Sequence, residues 1–125
     1  MTVIATDVQR LSNWLKYEYD PSSGVTREVL EYSAVSPTAT ITGSVLDSNG
    51  ALVVAATLAD ATYILIDDLN RPQASEYDKV LVLARGYAKV GRDQLIFGVD
   101  VTTDIQKDTA LAALKLKNIF AVEQV

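Results

Sequence analysis

The amino-acid sequence predicts an α+β fold: a β-rich compact domain with a mainly antiparallel sheet, one late helix and an extended N-terminal arm. Three observations carry that expectation. Short β-branched and apolar runs, separated by turn signals, fill most of residues 38–97. One capped helical segment stands between residues 102 and 117. The aromatic side chains Trp14, Tyr17, Tyr19 and Tyr32 lie apart from both, in an N-terminal stretch with little around it to form a core. With 125 residues the chain suits one domain and is too short for two. The division falls at Pro37, with an arm over residues 1–36 and the β-rich domain over residues 37–125.

Taken in order, Leu15-Lys16-Tyr17-Glu18-Tyr19 alternates as a strand does, and Asp20-Pro21-Ser22-Ser23-Gly24 is a turn. Val25 to Tyr32 fits either a strand or a short helix. Thr38 to Thr42 alternates polar and apolar and reads as a strand ending at Gly43. Val45-Leu46 and Leu52-Val53-Val54 flank Asn49-Gly50, a hairpin signal because a type I′ turn needs positive φ twice. Tyr63-Ile64-Leu65-Ile66 is apolar on both faces, as a buried central strand must be. Asp67 to Asp78 is a polar loop, and Val80 to Leu83 is a second buried strand closed by Arg85-Gly86. Tyr87 to Val90 continues the β pattern, a turn follows at Gly91-Arg92-Asp93, and Leu95-Ile96-Phe97 resumes it. Thr102 or Thr103 caps the helix, and Asp104 suits its positive start. Ile105, Ala112 and Leu116 share its apolar face, widened by Leu111 and Leu114. Asn118 provides a left-handed stop before a closing strand, Ile119 to Val122.

Composition excludes several classes of function. The net charge of −5 is spread along the chain, with no basic cluster to neutralise phosphates, so nucleic-acid binding is disfavoured. Without cysteine or histidine there is no disulfide framework, no thiolate zinc site and no imidazole base or ligand. No cofactor is expected. Met1 to Leu11 contains Asp7 and no long apolar run, unlike a signal peptide, and no stretch reaches the ~20 apolar residues of a membrane span. A cytoplasmic origin, or an assembly made there, is the expectation.

Three patterns approach catalytic motifs and miss. Gly86 to Asp93 nearly fits a phosphate loop, but Arg92 holds the lysine position and Asp93 replaces the metal-binding hydroxyl. Asp67 and Asp68 are adjacent in an extended segment, so their carboxylates point apart. Asp93, Asp100, Asp104 and Asp108 are more simply explained by helix capping and solubility. An enzyme using two carboxylates is the remaining catalytic reading. The aromatics carry more weight. Trp14, Tyr17 and Tyr19 are either core residues or interface anchors, since Trp, Tyr and Arg dominate binding at protein surfaces. Their place outside the compact region favours the interface, and the alternation of Leu15 to Tyr19 suits strand addition to a partner sheet.

The order of these segments resembles the head decoration protein D family of phage lambda and its longer-armed relatives. Leu15 to Asp20 followed by Thr26-Arg27-Glu28-Val29 is similar to the family's arm, and Thr42-Gly43-Ser44-Val45-Leu46 to its entry into the domain. Ile64 to Asp68 and Val80 to Gly86 resemble the paired strands, and the late helix with Asn118 to Val122 resembles the closing segment. The ordered pattern spans roughly residues 15–123. Tyr63, Tyr87 and Asn118 depart from it, where a small residue, proline and glycine are usual.

The resemblance implies a β-tulip-like, non-enzymatic structural protein of the virion. Such a protein forms a homotrimer at three-fold and quasi-three-fold sites on the outer surface of the expanded head. There it binds the major capsid protein and stabilises the shell against internal DNA pressure, with no membrane, nucleic-acid or small-molecule partner. Carried to this chain, the capsid-facing candidates are Trp14, Leu15, Tyr17, Tyr19, Arg27, Val29 and Tyr32. The rival is a generic oligomeric binding module, for carbohydrate or protein, displayed on a particle surface.

Overall fold

The computed structural model describes residues 14–19, 25–35, 39, 41–67, 69 and 79–122. The readings of Met1 to Leu11, of the turn at residues 20–24 and of most of the loop at residues 67–78 lie outside the described residues.

The chain forms an α+β domain of two sheets and one main helix. Strands β1 (Leu15–Glu18), β6 (Ala88–Gly91) and β7 (Ile119–Val122) make a three-stranded sheet in the order β1-β6-β7. Strands β2 (Arg27–Glu31), β3 (Val45–Asp47), β4 (Ala61–Leu65) and β5 (Lys79–Leu83) make a four-stranded sheet in the order β2-β5-β4-β3. A short helix, α1 (Tyr32–Val35), follows β2, and α2 (Asp104–Lys115) precedes β7. The strand pairings are antiparallel except β6 with β7, which is parallel. The parallel pair follows from α2: a helix inserted between two strands returns the chain in the same direction.

Alternation along the four-stranded sheet builds two cores. Val45, Ile64 and Leu83 point to one face and join Trp14, Ala88, Val90, Ala110, Leu114 and Ile119 in the main cluster. Leu46, Leu65 and Val82 point to the other face and pack with Val35, Ala39, Leu69 and Val80. This is why β4 and β5 read as apolar on both sides: each face of the sheet is covered.

Several elements differ from their sequence reading. Thr38 to Thr42 is not a strand where it is described. Ile41 to Gly43 turns, with Gly43 at φ 93°, and the Thr42 hydroxyl goes inward. The Asn49-Gly50 turn reverses the chain, but not as type I′. Gly50 has φ 90°, whereas Asn118 is the sole non-glycine with positive φ among the described residues. Instead Gly50 N donates to Asp47 O at 3.0 Å, and Asp47 Oδ1 accepts from Asn49 N at 2.9 Å. That is a type I turn closed by a left-handed glycine, held by an aspartate side chain. Leu95 to Phe97 makes only a single parallel bridge, Ile96 with Ser44.

The helix keeps its caps and changes its face. Thr103 Oγ1 accepts from Gln106 N at 3.2 Å, and Gln106 Oε1 accepts from Thr103 N at 3.1 Å, a capping box. Asn118 takes φ 64° at the stop. Ala110 and Leu114, not Ile105, Ala112 and Leu116, are the buried positions. A Cβ on Gly86 would lie 1.7 Å from Asn118 O, so the corner after β5 passes directly against the corner before β7. Only glycine fits that crossing.

Candidate interaction surface

The segment read as an arm is woven into both sheets wherever it is described. Trp14 is fully buried in the main core. Its Nε1 donates to Thr42 Oγ1 at 3.0 Å, and the Thr42 hydroxyl lies 2.8 Å from Ile66 O. The interface reading of Trp14 is therefore corrected for this chain. An indole of this size is accommodated only where its ring is packed and its N–H has a partner, and the domain supplies both. Leu15 is half-buried against the same cluster, and Tyr32 packs on the second one.

Arg27 also faces inward. Glu18 on β1 is buried, and Arg27 on β2 grips it with both sides of the guanidinium: Nε to Oε2 at 2.6 Å and Nη2 to Oε1 at 2.7 Å. Thr26, fully buried, donates its hydroxyl to the same carboxylate. The Arg27 hydrogen bonds hold the Glu18 carboxyl below its ordinary pKa, against the burial that raises it. The clamp joins the edge strand of one sheet to the edge strand of the other, so the candidates of this segment divide by role. Trp14, Leu15, Arg27 and Tyr32 hold the segment to the domain, while Tyr17, Tyr19 and Val29 face outward.

The outward group is larger than the sequence reveals. Tyr17 pairs with Lys89 and Glu18 with Ala88, and Tyr19 N donates to Tyr87 O at 2.7 Å. Ala88 pairs with Ile119 and Lys89 with Phe120. Paired residues share a face, so Tyr17, Tyr19, Tyr87, Lys89 and Phe120 lie together on one side of the three-stranded sheet. Ala88, Val90 and Ile119 occupy the other side, in the core. Tyr17, Tyr19 and Tyr87 are 50%, 54% and 59% exposed. Tyr87 stacks on Phe120, with ring centroids 6.2 Å apart and planes 12° from parallel. Tyr87, Lys89 and Phe120 were missed because strand pairing, not sequence proximity, brings them beside Tyr17. The one available signal was alternation: Tyr87 and Lys89 stand out of phase with the buried Ala88 and Val90.

Val29, 51% exposed, lies on the edge strand of the other sheet opposite Leu81. Exposed pairs Arg85–Glu28 and Lys79–Glu31, each at 2.6 Å, flank it. Pairs of that kind are worth about 0–1 kcal/mol and fix register more than stability.

The acidic positions are occupied with local structure. Asp67 Oδ2 accepts from Leu81 N at 2.8 Å, and Asp100 Oδ1 accepts from Ala55 N at 3.2 Å. Asp108 pairs with Arg92 at 2.6 Å; Asp68 lies outside the described residues. Among the described residues, no three His, Cys, Asp or Glu side chains gather as a metal site would require, and no helix is long and apolar enough to cross a membrane. The phosphate-loop near-match forms the Gly86 corner, strand β6 and a 3-10 turn over Arg92–Gln94. No protein-family model, curated protein or solved structure matched the chain.

Proposed function

We propose that this protein is a capsid decoration protein, binding as a trimer to the expanded head of a tailed phage and stabilising it without covalent chemistry. The observation that supports this most is the aromatic face at the edge of the three-stranded sheet. Tyrosines there are half in water: Tyr17 is on β1, which is clamped to the core, and Tyr19 and Tyr87 adjoin β1 and β6. Tyr contributes large contact area at little conformational cost, which suits docking on another protein. In a trimer each such contact is made three times, and avidity can exceed single-site affinity by ~10²–10⁴. The major capsid protein is the proposed partner, contacted by Tyr17, Tyr19 and Tyr87, with Val29 on the second edge.

The test is co-sedimentation of the purified protein with expanded, DNA-free phage heads and with unexpanded procapsids. A trimer that pellets with the expanded heads alone supports the reading. Protein that stays in the supernatant with both particles overturns it. A second reading rests on the same face: the stacked Tyr87–Phe120 pair beside two further tyrosines offers a flat platform for a sugar ring. That version, a displayed binding module, predicts glycan-array signal that is lost in Tyr87→Ala and no preference between the two particles.

A further inference from the structure

The face of α2 that the sequence assigns to the core points to solvent instead. Ile105 is 79% exposed and Leu116 85%, and Thr109 and Ala112 between them are exposed as well. At 3.6 residues per turn these positions form one continuous stripe. Its flank is polarised along the helix, with Asp104 and Asp108 toward the start and Lys115 at the end. Arg92 lies 4.0 Å from Asp104 and 2.6 Å from Asp108, yet their side chains remain 90% and 61% exposed.

Such a surface is complementary to itself. If two copies meet across a two-fold axis between Thr109 and Ala112, their helices run antiparallel. Ile105 of each copy then faces Leu116 of the other, and the small residues at the axis let the backbones approach. Asp104 of each copy faces Lys115 of the other, so every favourable contact occurs twice. A parallel arrangement would set Asp104 against Asp104 and lose that match. We propose that α2 is a self-association surface, and that its occupant is a second copy of this chain docked antiparallel along Ile105, Thr109, Ala112 and Leu116.

The helix has 12 residues. At 1.5 Å per residue it spans ~18 Å, less surface than the ~1,000 Å² expected of a stable complex. The contact is therefore weak between free copies and gains strength where copies are held side by side on an array. It stands independently of the capsid reading; on that reading it joins copies that belong to neighbouring trimers.

The experiment is sedimentation equilibrium of the full chain from ~10 μM to ~1 mM, a range that captures contacts of this strength. The mass is expected to rise with concentration above the low-concentration species, whether monomer or trimer. Leu116→Glu abolishes the rise while leaving the melting temperature unchanged. Asp104→Lys and Lys115→Asp each weaken association about tenfold, because an attractive pair becomes repulsive at two places. The double variant D104K/K115D restores it, since both cross-pairs re-form with signs reversed. A mass independent of concentration, a Leu116→Glu protein that associates like the original, or a double variant as weak as the singles overturns the proposal. Head binding by the same variants reports on the capsid reading alone, and its failure leaves the self-association result standing.

Discussion

The two sheets of this molecule use the same N-terminal segment in opposite ways. The four-stranded sheet packs a core on each face, and the segment gives it an edge strand, β2, whose neighbour β5 buries Val80, Val82 and Leu83. The three-stranded sheet is sealed on one face only; the segment gives it β1, and the other face carries three exposed tyrosines, one of them stacked on the half-buried Phe120. Between them the Glu18–Arg27 clamp and the Trp14 indole fix both strands to one core. Burial and display are not alternatives for this stretch. A register shift between Leu15 and Tyr17 lets Leu15 and Glu18 face the core while Tyr17 and Tyr19 face water, so one short stretch does both jobs.

The largest effect is expected from removing the segment. Deletion of residues 1–32 takes away both edge strands and Trp14, and should leave a chain without a cooperative thermal transition. A folded truncation product would show that β3, β4 and β5 stand without either edge strand that the segment supplies. Trp14→Ala should cost about 3–5 kcal/mol in urea unfolding, the range for emptying a large aromatic site.

Next comes the crossing of the two corners. Gly86→Ala puts a Cβ 1.7 Å from Asn118 O, a backbone atom that no rotamer change can move. The expected loss is about 3 kcal/mol, at the upper end for overpacking. Because the crossing sits beside β6 and β7, hydrogen exchange should rise in the three-stranded sheet first.

The clamp should matter less and should depend on pH. Arg27→Met leaves a carboxylate with 5% side-chain exposure facing only Thr26, at a cost of about 2 kcal/mol, below the 3–5 kcal/mol of fully buried pairs because Arg27 is itself 24% exposed. The folded pKa of Glu18 lies below its unfolded value. Its stabilisation is therefore complete above the unfolded value of about 4.3 and is lost as pH falls through the folded value. Chemical denaturation between pH 7 and pH 2 should show that acid loss in the wild type and a shallower one in Glu18→Gln. Parallel curves would mean that the clamp does not join the sheets energetically.

The smallest effect on folding, and the largest on binding, belongs to the outer face. Tyr17→Ser, Tyr19→Ser and Tyr87→Ser should each change stability by under about 0.5 kcal/mol, as exposed substitutions do. On the proposed function they remove co-sedimentation with expanded heads, most strongly in combination. A large loss of stability in any one would move that residue from the displayed group to the structural one.

Local signals in the sequence were sufficient for much of this architecture. The two-faced apolar runs at Ile64 and Val82, a threonine cap at Thr102 or Thr103 and the stop at Asn118 each act over a few residues. Each is therefore legible without knowing the rest of the chain. Thr38 to Thr42 misled for the same reason: its alternation is real, but Thr42 is drawn inward by Trp14, 28 residues away.

The α+β class, most strand positions, the helix and both of its ends can be read from short stretches of sequence. Those depend on backbone propensity, side-chain period and capping, which are properties of neighbours in the chain. Only folding buries Trp14 and pairs Arg27 with Glu18, brings Tyr87 and Phe120 beside Tyr17 and Tyr19, and selects the side of α2 that is buried. Each of those depends on which strand pairs with which and on the volume left beneath the helix, where Ala110 and Leu114 fit against the sheets. A helical stripe marks a surface that is to be covered; whether the core or another molecule covers it is settled only when the chain has folded.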